Sequence, residues 1–145
     1  MNFLLDTPVL AETRRSQADA NLTVWLRATP AAAQFVSVVS LYELQRGAVA
    51  EEWRQPAFAR GVAAWLESLA AAHADRLLAL DAAVALRWGR LAAQAGRQTP
   101  DLAIAATALV HRLVVATRNA EDFLRAGVPV LNPFQPRPQI VRPRV

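Results

Sequence analysis

The sequence predicts an α/β domain built on a central parallel sheet, and three observations carry that expectation. Short apolar runs of strand length alternate with longer segments of helical periodicity along most of the chain. The runs F-L-L at 3–5 and L-V-V-A at 113–116 are apolar throughout, as strands covered by helices on both faces are. Polar or acidic residues and helix-start signals follow these runs, and in an open parallel sheet such points share the edge where ligands bind.

Asn2 to Thr7 (N-F-L-L-D-T) reads as the first strand, ended by Pro8, which cannot donate to a ladder. Thr7 before Pro8 reads as a helix N-cap with proline at the first helical position, so Asp6 falls at the carboxyl end of the strand. A short helical turn and a polar segment follow. Leu22, Trp25 and Leu26 have i, i+3, i+4 spacing and predict a helix running to Thr29. Phe35 to Ser40, rich in β-branched residues, predicts the second strand. Ser40-Leu41-Tyr42-Glu43 then fits a capping box, which supplies Glu43 with a purely structural role and also sets it just past a strand end.

A helix is expected over 41–50 despite Gly47, and a longer one opens at Pro56, with Phe58, Val62, Trp65, Leu66 and Leu69 at core spacing. His73 lies near its C-terminus, where a cation suits the helix dipole. Arg76 to Leu80 predicts a third strand, and Asp81 caps a helix that carries Val84, Trp88, Leu91, Ala92 and Ala95 on one face and stops at Gly96. Thr99-Pro100-Asp101 repeats the cap-and-proline start and places a carboxylate in the first turn, which the dipole favours by about 0.3 to 1 kcal/mol. The almost wholly apolar L-A-I-A-A-T-A-L-V that follows predicts a helix buried against the sheet.

Leu113 to Thr117 predicts the next strand, after which Thr117 or Asn119 caps a short helix carrying Glu121 and Asp122 in its first turn. Pro129 to Leu131 predicts a small last strand. Residues 1–134 are read as the domain and 135–145 as a Pro/Arg-rich extended tail without its own core.

At 145 residues the chain suits one domain, and although 54% of it is hydrophobic, no run approaches the roughly 20 apolar residues of a membrane span. The N-terminus carries no secretory pattern, which argues for a cytoplasmic protein, and the absence of Cys agrees with a reducing compartment. Without Cys or Lys there is no thiol nucleophile, thiolate zinc site, Schiff-base lysine or P-loop lysine. All 16 basic residues are Arg and the formal charge is +4, a composition that suits a phosphate-bearing partner.

Asp6, Glu43, Asp101 and the Asn119/Asp122 pair each have a local structural role, but all fall just after a strand or at a helix start. Converging carboxylates repel one another unless a divalent cation neutralises them, and oxygen-only ligation selects Mg²⁺ or Mn²⁺. Such an ion suits attack of water on a phosphodiester.

The motifs L-L-D-T at 4–7, S-x-x-E-L at 40–44, D-x-x-I-A-A-x-A at 101–108, A-T-R-N-x-x-D-F at 116–123 and L-N-P-F at 131–134 resemble, in order, the PIN-domain ribonucleases, specifically VapC/FitB-like toxins of bacterial toxin–antitoxin pairs. The resemblance implies a three-layer α/β/α sandwich acting as an Mg²⁺-dependent endoribonuclease, with Mn²⁺ as a substitute. It implies Asp6, Asp101, Glu43 and Asp122 as metal-site carboxylates, with Asn119 an alternative fourth group and Thr117 hydrogen-bonding nearby. It further implies tRNA or other structured RNA as substrate, a homodimer, and a cognate antitoxin through which alone the chain would meet DNA. Pro8 departs from the family, which often has Asn or Ser there. The apolar surplus and the Trp25 and Trp53 helices are expected to help form dimer or antitoxin contacts, and two other readings compete: a catalytically degenerate partner-binding module, and a phosphatase with Asp6 as nucleophile, which lacks the D-x-D-x-T signature and a lysine.

Overall fold

The computed structural model describes residues 1–144; Val145, the end of the expected tail, lies outside the described residues. The centre of the molecule is β1 (Phe3–Leu5), buried along its whole length. It pairs in parallel with β2 (Gln34–Ser37) on one side and β4 (Val114–Ala116) on the other. Beyond β2 lies β3 (Leu77–Leu78), and beyond β4 lies β5 (Val130–Leu131), both parallel. With β6 (Ile140–Val141) at the far edge, the sheet order β3-β2-β1-β4-β5-β6 reverses direction at β1, so the β1/β4 boundary is a topological switch point, where the carboxyl ends of the strands open a crevice.

Alternation along the central strands divides the interior in two. Leu4 and Val115 face one core with Val84 and Leu91 of α5 (Ala82–Ala95), Ile104 of α6 (Pro100–His111) and Phe123 of α7 (Ala120–Arg125). Leu5 and Ala116 face the other, with Val9 and Leu10 of α1 (Thr7–Thr13) and Leu22 of α2 (Ala20–Ala28). Leu44 of α3 (Val38–Ala50) and Trp65 of α4 (Pro56–Ala72) pack against that second core. The result is the expected three-layer α/β/α arrangement. Every residue of α6 from Leu102 to Ala108 is buried, and full burial of a side chain such as Ile104 is worth about 1.5–3 kcal/mol. Among the described residues, no helix is long and apolar enough to cross a membrane.

Several local expectations change. The N-cap of α1 is Asp6, not Thr7: its Oδ1 accepts the Thr7 N–H at 2.8 Å and its carbonyl accepts Val9 N–H, which moves Pro8 to the second helical position. The second strand stops at Ser37, whose hydroxyl accepts the Val39 N–H at 3.1 Å and starts α3 one turn earlier than the capping box implied. Ser40 is therefore inside the helix and buried, and Glu43 sits in the second turn, too far along to cap. The third strand is shorter than expected because only two of its residues find a register on β2. Asp81 and Gly96 bound α5 as read from the sequence, Asp81 accepting the Val84 N–H and Gly96 adopting φ 69°.

The tail also differs from a free extension. Residues Ile140–Val141 form β6, antiparallel to β5, and Ile140 packs with Phe3, Val114 and Leu131. Trp25 packs inward, its ring edge-on to Phe3 with centroids 5.0 Å apart. Trp53 remains 82% exposed.

Candidate active site

At the switch point Asp6 ends β1 and is almost fully buried. Its backbone N–H donates to the Ala116 carbonyl at 3.0 Å, which ties the end of β1 to the end of β4. Its two carboxylate oxygens have separate partners. Oδ1 accepts the Thr7 N–H, and Oδ2 accepts the Thr117 hydroxyl at 2.7 Å. The Thr117 oxygen in turn accepts the Asn119 N–H at 2.9 Å, so the turn after β4 is pinned to the carboxylate it serves.

Glu43 arrives from α3. The Thr7 hydroxyl donates to its Oε1 at 2.7 Å and lies 2.9 Å from the buried Ser40 hydroxyl. One turn of α3 thus carries both groups that meet Thr7, because residues three apart share a helix face. Asp101 stands in the first turn of α6, half-buried; Thr99 occupies the N-cap position without a side-chain cap bond.

The electrostatics show which of these groups share an environment. Burial is the main cause that lifts Asp6 to about 6, opposed by hydrogen bonds from Thr117 and Thr7 and reinforced by the charges of Asp101 and Glu43. Glu43 is raised by burial and, less, by Asp101, against the Thr7 hydrogen bond and Arg46. Asp101 is raised by burial and by Asp122, with Arg97 opposing. Asp6, Glu43 and Asp101 therefore form one coupled acidic set from three elements. Asp122 couples to this set through Asp101 and differs from it in carrying ion pairs of its own, with Arg97 at 3.2 Å and Arg125 at 3.8 Å. Asn119 caps α7 by position only, its side chain making no cap bond.

The donor set fits a hard divalent ion. All its groups are oxygens, and burial raises the pKa of all three carboxylates, with mutual repulsion adding to it. Among the described residues no group of three or more His, Asp or Glu side chains is placed to hold a metal ion together. Mg²⁺ does not require one, since it keeps several waters and takes one or two carboxylates.

Beside the acidic set runs an apolar-walled groove of about 770 Å³ between α1, α3 and α4, reached by Pro8, Glu43 and Arg118. Two residues of this region have roles that local sequence does not assign. Ser40 was assigned to capping rather than to Thr7, a contact across 33 positions that no local pattern signals. Glu12 is buried and accepts the Asp19 N–H at 3.0 Å while pairing with Arg15 and Arg118. Its signal was the i, i+3 spacing from Val9, which puts it on the buried face of α1.

A model of the PIN domain matches residues 3–129. The chain belongs to the PIN-domain family. This PIN domain is 30% identical over 139 residues to toxin FitB of Neisseria gonorrhoeae, an alignment covering 91% of this chain and 98% of that protein. It is 29% identical over 141 residues to a VapC ribonuclease of Sinorhizobium fredii, covering 92% and 99%. The structure of FitAcB from Neisseria gonorrhoeae superimposes with a TM-score of 0.70 at 29% identity, covering 92% of this chain and 99% of that one. The PIN domain is thus of the VapC/FitB toxin type, and the matched span includes Asp6, Glu43, Asp101, Asn119 and Asp122.

Proposed function

We propose that this VapC/FitB-type PIN domain is the toxin of a toxin–antitoxin pair and acts as an endoribonuclease on structured RNA such as tRNA, dependent on Mg²⁺ with Mn²⁺ as a substitute. The observation that carries this reading is the coupled set of Asp6, Glu43 and Asp101 at the switch point of a PIN fold. Asp6 and Asp101 would hold the ion, with Glu43 acting on it or on its water. The ion, when bound, would supply charge neutralisation at the phosphate and acidify a water for attack. The chain's own part is positional. Thr117 and Thr7 fix the two oxygens of Asp6 in separate directions, and the Thr7 hydroxyl fixes Glu43. Asp122, which couples to Asp101 and is paired with Arg97 and Arg125, would be the fourth carboxylate of the site. Asn119 stands on the same turn as the alternative fourth group.

The expected setting is the cytoplasm, with a co-encoded antitoxin as partner, which the similarity to toxin FitB and to the FitAcB structure supports. A homodimer is supported by the apolar side chains left on the surface, Tyr42, Val49 and Leu86 among them. Incubating a mixed tRNA pool with purified protein in Mg²⁺, Mn²⁺ or EDTA tests the reading. Discrete cleavage products in either metal and none in EDTA are expected. Intact RNA under every metal condition would favour the partner-binding alternative, in which Pro8 marks a degenerate site.

A further inference from the structure

Arg118 belongs to none of the acidic groups above, yet it follows Thr117 directly and reaches the groove that Glu43 and Pro8 line. Its guanidinium carbon lies over the Phe134 ring, 3.7 Å from the centroid, within cation–π range. On its other side Glu12 Oε1 stands 3.6 Å from its terminal nitrogen, longer than a hydrogen bond. Glu12 is mostly occupied elsewhere, by the Asp19 N–H and by Arg15. The pair therefore steers Arg118 without consuming its donors, and the side chain stays 51% exposed. A planar, pre-oriented guanidinium with free N–H groups matches the two oxygens of a phosphate. Arg14 and Arg15 line the same groove, along with Glu12, Glu43 and Glu51.

We infer that Arg118 is a substrate-binding residue that clamps an RNA backbone phosphate neighbouring the one cleaved, its plane set by Phe134 and its direction by Glu12. The inference rests on the ribonuclease reading. A cation beside an acidic set solves a specific problem: the carboxylates repel the polyanion they must receive, and a fixed positive group a short distance along the groove offsets that repulsion for a correctly placed strand.

The test compares wild type, Arg118→Gln and Arg118→Lys, each first shown to be folded by thermal melting. Binding of a labelled tRNA pool is measured in EDTA over a range of salt, and cleavage kinetics are measured in Mg²⁺. For Arg118→Gln the expected result is a Kd and KM raised roughly tenfold, a salt slope shallower by about 0.7–0.9, and kcat within about twofold of wild type. Arg118→Lys recovers the salt slope but only part of the affinity, because charge returns without the planar fork. Unchanged Kd, KM and salt slope in folded Arg118→Gln overturn the inference. If wild type itself leaves RNA uncut, the nuclease reading falls, while the tRNA affinities and salt slopes still decide the role of Arg118.

Discussion

The Thr117 hydroxyl donates to Asp6 Oδ2 across 111 residues of chain, at the point where the sheet changes direction. The bond joins the ends of the two central strands and also sets the angle at which the innermost carboxylate faces the crevice. Thr117 is fully buried, so its hydroxyl has no water to fall back on.

Thr117→Val keeps the shape of the side chain and removes both the donor to Asp6 and the acceptor of the Asn119 N–H. The expected cost is about 1–3 kcal/mol of stability, read by denaturant titration. Losing the hydrogen bond that holds the Asp6 pKa down also raises it further. The rise of cleavage rate with pH should therefore shift to higher pH, and metal affinity should fall by about 10–100-fold, as for other groups that orient a ligand.

The raised pKa of Asp6 makes a signed prediction for the metal-free protein. Between about pH 4 and 6 the folded chain holds a proton that the unfolded chain has released, so the Asp6 contribution to stability falls as pH rises through that window. Below the ordinary carboxylate value both states are protonated and there is no contribution. Above 6 the full cost is about 3 kcal/mol. Glu43 and Asp101 are shifted in the same direction and add to the same slope. The stability difference between wild type and Asp6→Asn, followed by thermal melting from pH 4 to 7, should grow steadily in favour of the Asn variant. Mg²⁺ should narrow it most at the high-pH end.

Two serines three residues apart separate a structural role from a functional one. Ser37→Ala removes the cap of α3 and should cost about 1 kcal/mol of stability with little effect on cleavage. Ser40→Ala removes a neighbour of Thr7, which also holds Glu43, so it should lower kcat by more than its stability loss explains. Equal loss of kcat in the two variants would contradict the assignment.

Asp122 and Asp101 should differ in weight. Arg97 and Arg125 already occupy Asp122, whereas Asp101 shares the environment of Asp6 and Glu43. Asp122→Asn should cost less than about tenfold in kcat/KM, or 1.4 kcal/mol of transition-state stabilisation. A loss equal to that of Asp101→Asn would place Asp122 beside it in the site.

Much of this arrangement was legible before any coordinates. F-L-L-D, the Thr99-Pro100-Asp101 start and the Asp81 to Gly96 helix are local signals, each set by backbone chemistry within a few residues. The start of α3 was misread because Ser37 and Ser40 both precede apolar residues, and the choice between them depends on how far β2 pairs with β1 and β3. β6 was missed because an edge strand of two residues has no period of its own and exists only through β5. Arg118 over Phe134 joins two segments that sequence spacing does not relate. The acidic residues were found because their positions relative to strand ends are a one-dimensional property; their unequal coupling to Arg97 is not.

The most direct test of the account is cleavage of a tRNA pool by wild type and by Asp101→Asn, side by side, with Mg²⁺ at matched protein concentration and matched thermal stability. The account predicts metal-dependent cleavage by wild type and a loss of at least about a hundredfold in the variant. Undiminished cleavage by folded Asp101→Asn would remove Asp101 from the site and contradict the claim that this acidic edge performs the chemistry.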